Sequence, residues 1–300
     1  MKPKCTVFIA DLHLKKENQG VFALWQRFLR EQVKSNNIEA IYLLGDFFAL
    51  WAGDDDVSPF TLKVAAVIRN ITQQGIKVYL LPGNRDFMLG KQFATLSNCT
   101  LIADPTPIDL YHIPTVLTHG DILCTDDVAM NIFRAITRFK LSKKLFLLLP
   151  LEIRRKIAEW IHAISNHSRK NTGKDDSIKK QNAHKVTERT VRKLLHKYHA
   201  QQLIHGHMHY AGVFPVAPIT TNTIANTAAI TSVIAEADAT ANNHHKLQQP
   251  MRRFMLGEWT KYQGSVLFYY ENGEFELKDF QVPNRTPTKK TYKPSAKLTA

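Results

Sequence analysis

Five apolar runs in this 300-residue chain end in residues of metal-ligand type. Asp11 and His13 close FIADLH, Asp46 closes LLGD, and Asn84 closes LLPGN. His119 follows in LTHGD, then His205, His207 and His209 in LIHGHMH. Taken singly each is weak. A D-x-H triplet is usually a turn, a strand-end G-D a cap, and a lone His a core residue. H-x-H says more, because alternate residues of a strand point the same way and can share a centre. The ordered set is what points to function. In open α/β sheets functional groups gather beyond the carboxyl ends of strands, so neighbouring strands would bring these side chains into one crevice. Two Asp, one Asn and several His without thiolate suit Mn, Fe, Co or Zn better than Ca or Mg. Even seven of these eight are too many for one ion and right for two that share a carboxylate. Asp46 is the natural bridge. Paired metals clamp the attacking and leaving oxygens of a phosphoryl transfer and generate hydroxide near neutral pH.

The elements that must position these groups are legible in outline. CTVFIAD reads as a buried strand, and Phe22, Trp25, Phe28, Leu29 and Val33 recur at helical spacing between Gln19 and Asn37. A strand AIYLLGD, a helix from about Ser58 to Gln74 and a strand IKVYLLPG follow. TVLTHGD and QQLIHGH are later strands, and SVLFYYENGEFELKDF is a hairpin around Asn272-Gly273. Alternation of this kind predicts an α/β layered architecture. Residues 128 to 200 are helical and basic, and the apolar stretch Leu145 to Leu151 is bracketed by Lys143, Lys144, Arg154, Arg155 and Lys156. On pattern alone the plainer reading is helices packed on the core. The sharper one is a lid whose apolar face meets a lipid-like ligand or a membrane. Residues 217 to 250, rich in Ala, Thr and Asn, read as a variable loop in which His244 and His245 have no role. Asp54, Asp55 and Asp56 read as a solvated turn and helix start rather than a third metal site.

The formal charge is +14, from 40 Lys and Arg against 26 Asp and Glu. Such a field attracts nucleic acid, anionic lipid surfaces or phosphorylated substrates alike. Three cysteines without C-x-x-C spacing read as reduced residues in a reducing cytoplasm. No run approaches the roughly 20 apolar residues that span a bilayer, and the N-terminal stretch lacks a signal-peptide pattern. The chain therefore reads as soluble, or as lying on a membrane surface. Nothing in it sets an oligomeric state.

D-x-H, G-D, G-N, H and G-H-x-H, in that order on strand ends, resemble the calcineurin-like metallophosphoesterases. The resemblance implies a layered αββα sandwich with an inserted helical lid. It divides the chain into a core (1–127), the lid and return helix (128–200), the rest of the core (201–280) and a basic tail (281–300). It implies one metal on Asp11, His13, Asp46 and His209, and a second on Asp46, Asn84, His119 and His207. His205 is left as a supporting or core residue.

Position 85 departs from most of that superfamily, which reads G-N-H-[DE] there with His as general acid. Arg85 gives up no proton near pH 7, but it can grip a phosphate bidentately. A leaving group that needs no proton is therefore implied, and a phosphate, with a second pKa of about 6, qualifies. That chemistry points to a pyrophosphate substrate.

FIADLHL, GDFFALWAGDDD, GNRDFMLGKQFA, THGDILCTDD and LIHGHMH together resemble the UDP-2,3-diacylglucosamine diphosphatases of lipid A biosynthesis over most of residues 5 to 210. This resemblance implies cleavage to UMP and 2,3-diacylglucosamine 1-phosphate with two Mn2+, at the cytoplasmic face of the inner membrane. No nucleic-acid partner is expected. It also implies substrate contacts by Asn84, Arg85, Asp127 and His207, with Asp46, Asn84, Arg85 and His119 carrying the catalysis. The lid contacts fall on Ser168, with Ser165 as rival, on Thr172, and on Lys179, with Lys174 as rival. Asp127 is equally a helix N-cap. Tyr210-Ala211, where the family has Arg-Pro, is a departure, as are the loop 217–250 and the basic tail.

Overall fold

Alternation of apolar side chains along the first strand decides the layering. β1 (Lys4–Ile9) sends Cys5, Val7 and Ile9 to one face and Phe8, followed by Ala10, to the other. Both faces are buried, as expected of a strand with a sheet on one side and helices on the other. The computed structural model describes residues 2–125, 128–170, 186–217 and 251–282.

β1 pairs in parallel with β2 (Asn37–Leu44), which pairs in parallel with β3 (Lys77–Leu81). β4 (Thr100–Leu101) extends this sheet beyond β3. On its other side β1 meets β10 (Gln263–Tyr270) antiparallel, and β10 meets β11 (Phe275–Gln281). The predicted hairpin is thus present, and Asn272 Oδ1 accepts from the Glu274 N–H to close its turn. A second sheet runs β5-β6-β7-β9-β8. These strands are β5 (Thr106–Leu110), β6 (Ile113–Thr118), β7 (Gln202–His205), β8 (Gly212–Pro215) and β9 (Arg252–Met255). Within it β6, β7 and β9 are mutually parallel.

The inner core lies between the sheets. Phe8, Leu44, Leu81, Leu267 and Tyr269 of the first meet Leu117, Ile204 and Phe254 of the second. Outside the first sheet pack α1 (Gln19–Ser35), α2 (Pro59–Gln73) and α3 (Lys91–Ser97). α1 buries Val21, Phe22, Leu24, Trp25, Phe28 and Leu29 on one stripe. Each of those large side chains contributes about 1.5–3 kcal/mol by leaving water. α2 starts where Ser58 Oγ accepts from the Thr61 N–H, with Pro59 in the first turn where its missing N–H is harmless. Outside the second sheet, α7 (Glu188–Lys197) sets Val191, Leu194 and Leu195 on Val116 and Leu203. The expected αββα order is therefore observed.

α4 (Val128–Arg138), α5 (Lys140–Leu148) and α6 (Leu151–Lys170) form the helical segment between the two halves of the core. The plainer reading of its apolar stretch fails for most of the side chains. Only Phe146 packs on the main core, while Leu145, Leu147 and Leu148 are exposed, Leu148 at 80%. Ile132, Ile136, Phe139, Leu141, Ile153 and Trp160 are exposed on the same segment. It is held instead by cations. Arg154 is buried, donates to the Ala52 carbonyl at 2.7 Å and pairs with Asp55, while Arg155 reaches Asp56 at 2.5 Å. Asp54 and Asp55 do lie in a turn, with Asp55 exposed, but the three acids also serve as anchors. Asp54 accepts from Gly90, Gln92 and Phe93 N–H groups and so caps α3, and α2 itself begins only at Pro59. No helix among the described residues is long and apolar enough to cross a membrane.

Candidate metal centre

All five predicted strand ends open on one crevice. β1, β2 and β3 bring Asp11, His13, Asp46 and Asn84 from the first sheet, and β6 and β7 bring His119, His207 and His209 from the second. Backbone bonds stitch the turns together. Asp11 N–H donates to Gly45 O, His13 N–H to Asp46 O, and Gly206 N–H to His119 O. The His207 N–H donates to Asp11 Oδ2 at 2.8 Å and joins the two sheets at the site itself.

The backbone beyond the strands is strained in a repeated way. Asp11, His13, Asp46, His207 and His209 all have positive φ, between 49° and 69°. Side chains other than glycine rarely adopt this conformation, and it clusters at functional sites that over-determine it. One expectation is corrected here. β7 stops at His205, so His207 and His209 converge by two left-handed turns and not by strand alternation. His205 is fully buried with Nδ1 on its own neighbour's carbonyl, in line with a core role. Gly45, at φ +83°, leaves room for the His119 imidazole, which any Cβ there would strike.

Asp46 is completely buried and faces both groups of imidazoles. Its Oδ2 lies 3.8 Å from His13 Nδ1, and its Oδ1 lies 3.6 Å from His119 Nε2. Asp11 Oδ1 lies 3.9 Å from His13 Nε2 and 3.4 Å from His209 Nε2. Two sets of donor atoms lie within 4.8 Å of one another, Asp11 with His13 and His209, and Asp11 with Asp46 and His119. Asp11 thus borders both groups, as Asp46 does. Asn84 Oδ1 is 2.9 Å from His119 Nε2, and His207 Nδ1 is 3.2 Å from the same nitrogen.

The donor chemistry fits cations. Asp11 Oδ1, Asp46 Oδ2 and His13 Nδ1 are buried without a hydrogen-bond partner, an expensive arrangement unless a positive charge completes it. His119 Nδ1 lies 3.1 Å from the Leu44 carbonyl, which can only accept, so in the neutral ring Nε2 keeps its lone pair. That lone pair faces the Asn84 carbonyl oxygen, and two acceptors at this distance call for a cation or a proton between them.

Without metal, protons partly take that role. Burial alone would raise Asp11 and Asp46, but His209 beside the first and His119 beside the second hold both below the usual carboxylate range. Burial lowers His119, yet Asp46 and Asp11 more than reverse it and push it up to about 9. Burial brings His13 down to about 3 and His207 to about 4. His209 is raised, Asp11 prevailing over its burial. Burial, then the neighbouring Asp46, lift Asp86 to about 7.

The signs give a test on metal-stripped protein. Between about pH 4 and the ordinary histidine value of 6.5, folding releases protons at His13, His205 and His207, more than it takes up at Asp86 and the raised Asp104. Stability there rises with pH. Above 6.5 the raised His119 and His209 reverse the sign, and the His119 contribution is lost as pH climbs through about 9. The thermal midpoint of chelator-treated protein should peak near pH 6.5. A flat profile from 6.5 to 9 would contradict a buried imidazolium at His119.

Arg85 stands beside this cluster with its side chain only 8% exposed. Its Nε is 3.3 Å from Asp46 Oδ2, and its backbone N–H donates to Asp46 Oδ1 at 2.9 Å. Below it Asp86 is fully buried and accepts from the N–H groups of Phe47, Phe48 and Gly83, which locks the Asn84-Arg85 turn onto the Asp46 turn.

Sequence reasoning missed two supports. Glu258 Oε2 lies 2.7 Å from His209 Nδ1. On the other flank Arg138 of α4 bridges Asp104 at 2.5 Å and Asp121 at 3.1 Å, while Asp104 Oδ1 accepts from the His119 N–H. Both carboxylates are nearly fully buried, at 4% and 1% exposure. Replacing Arg138 by Ala leaves them uncompensated and should destabilise the protein by about 3–5 kcal/mol, read from the urea midpoint. A loss below about 1 kcal/mol would place this bridge among pairs of little net worth.

Asp127, Thr172, Lys179 and Lys174 lie outside the described residues, as do 218–250 and the tail from 283. Ser165 and Ser168 fall on α6, where the backbone is described and these side chains are not.

The calcineurin-like phosphoesterase family matches residues 6–211, the span holding all seven donors. UDP-2,3-diacylglucosamine hydrolase of Marinobacter nauticus is 36% identical over 254 residues, 85% of this chain and 89% of that protein. The Aeromonas salmonicida enzyme of the same name is 36% identical over 94% of this chain and 96% of its own length. That of Serratia proteamaculans is 41% identical over 71% and 85%. Fold, donor order and these identities agree: the chain belongs to the calcineurin-like phosphoesterases and, within them, to the family of the UDP-2,3-diacylglucosamine hydrolases.

Proposed function

We propose that this protein hydrolyses the pyrophosphate bond of UDP-2,3-diacylglucosamine to UMP and 2,3-diacylglucosamine 1-phosphate, a step of lipid A biosynthesis. The carrying observation is Arg85, a guanidinium 3.3 Å from Asp46 in the position that follows Asn84. The relatives named for that hydrolysis support the substrate.

Asp11, His13, Asp46 and His209 would hold one Mn2+, and Asp46, Asn84, His119 and His207 the other. When bound, the pair supplies Lewis acidity and lets water attack at neutral pH. Arg85 and His207 orient the pyrophosphate, Arg85 through a fork that matches phosphate oxygens. The oxygen of water bonds to the α-phosphorus as one of its protons is released to solvent, and the bond from that phosphorus to the sugar-phosphate oxygen breaks. The departing group is a phosphate and requires no proton, so an arginine serves where a histidine acid would otherwise be needed.

The segment 128–200 acts as a lid for the acyl chains, a reading supported by its exposed Leu145, Leu148 and Trp160. Asp127, Ser168, Thr172 and Lys179 are its proposed polar contacts. The same apolar and basic face would rest on the cytoplasmic side of the inner membrane.

Purified protein with Mn2+ is to be assayed on the diacylated sugar nucleotide and on an analogue without acyl chains, with release of UMP followed. Strong preference for the acylated substrate is expected. Equal turnover of both would remove the lipid assignment and favour a hydrolase of soluble nucleotide pyrophosphates.

A further inference from the structure

Glu258 belongs to none of the motifs that mark the donor cluster, yet it reaches the cluster in the same way. β9 lies beside β7 and parallel to it, so the three residues beyond Met255 carry Glu258 to the crevice as a sixth strand end. Its Oε2 is 2.7 Å from His209 Nδ1. A carboxylate can only accept, so Nδ1 carries the proton and donates it. In the neutral ring Nε2 then presents its lone pair toward Asp11 Oδ1, 3.4 Å away, and His13 Nε2, 3.3 Å away.

The mounting of Glu258 is rigid on both sides. The Leu256 N–H donates to His205 O at 2.8 Å, and the Trp259 N–H donates to Asp11 O at 3.0 Å. Trp259 is buried, its Nε1 bonds Ser265 O, and its ring meets Phe28 edge-on at 5.7 Å. Gly264 lies against that ring so closely that a Cβ would collide with it. The segment thus ties the turn bearing Asp11 to the turn bearing His209.

The other half of the cluster has a weaker counterpart. His119 Nδ1 meets the neutral Leu44 carbonyl at 3.1 Å. A charged acceptor makes the stronger bond and the more basic imidazole.

We infer that Glu258 is a positioning residue that orients His209 and makes the subsite of Asp11, His13 and His209 the tighter of two, so that divalent cations load in order. The inference rests on the two-cation reading given above. Outer partners of this kind change metal affinity by about 10–100-fold when removed.

The test is titration of metal-stripped full-length protein with Mn2+, with free Mn2+ followed by its paramagnetic resonance. Wild type should bind in two steps, one tight and one weak. Glu258→Gln keeps an acceptor without charge and should weaken the tight step about tenfold. Glu258→Ala should weaken it about 100-fold, with the weak step within about twofold of wild type. Wild-type constants in both variants, or equal loss from both steps, would overturn the inference. Should the Ala variant not fold, the Gln variant decides alone. A wild type that binds no Mn2+ would instead remove the two-cation reading, and this inference with it.

Discussion

Asp46→Ala abolishes turnover of the acylated sugar nucleotide, with a fall of at least about 10³-fold in kcat. That is the upper end of what the loss of one electrostatic stabiliser removes, and Asp46 serves more than one partner. Its two oxygens face His13 on one side and His119 on the other, and the carboxylate is completely buried. Its Oδ1 also holds the Arg85 backbone in place. If the proposed two-cation centre is right, metal content should fall in step, from two divalent ions per chain to at most one. Initial rates and metal analysis on the same preparation check both. Intact hydrolysis would sink the assignment of the whole cluster.

Arg85→Ala is expected to lower kcat by about 10²–10³-fold while leaving Mn2+ binding intact or somewhat tighter. The two effects have opposite signs for one reason. The guanidinium beside Asp46 repels a cation, so its removal favours metal, but it also removes the fork proposed to hold phosphate. Arg85→Lys should restore little, since an ammonium is a point charge without that geometry. Rates and Mn2+ titration of the same variants separate the possibilities. Loss of metal binding together with rate would make Arg85 a prop for Asp46 instead of a substrate contact.

Much of the centre was legible because each donor follows an apolar run within a few residues, and such runs are local signals. Asp11, Asp46, Asn84 and His119 could be read as an ordered set of such run ends, and parallel pairing of β1, β2 and β3 and of β6 and β7 brings them together. The H-x-H reading picked residues that do meet in the cluster, but by the wrong geometry. It assumed strand geometry at His207 and His209, where the chain has already left β7 and turns left-handed. What stayed hidden depends on pairs distant in sequence. Arg154 meets Asp55 and Arg155 meets Asp56 across 99 positions, and no local pattern links them. Glu258 had a signal that was passed over. FMLGEW is a short apolar run ending in an acid, the same signature as the other five, and it was not read as a strand.

The stitch between Trp259 and Asp11 spans nearly the entire described polypeptide, and β10, which flanks β1, lies later still. A ribosome extruding this protein releases Asp11 well before Glu258. Nascent chains therefore carry the early donors for a time without the later strands that organise them. Chains cut short before Glu258 would lack the finished crevice, so hydrolytic competence should arise only once Glu258 and β10 have emerged.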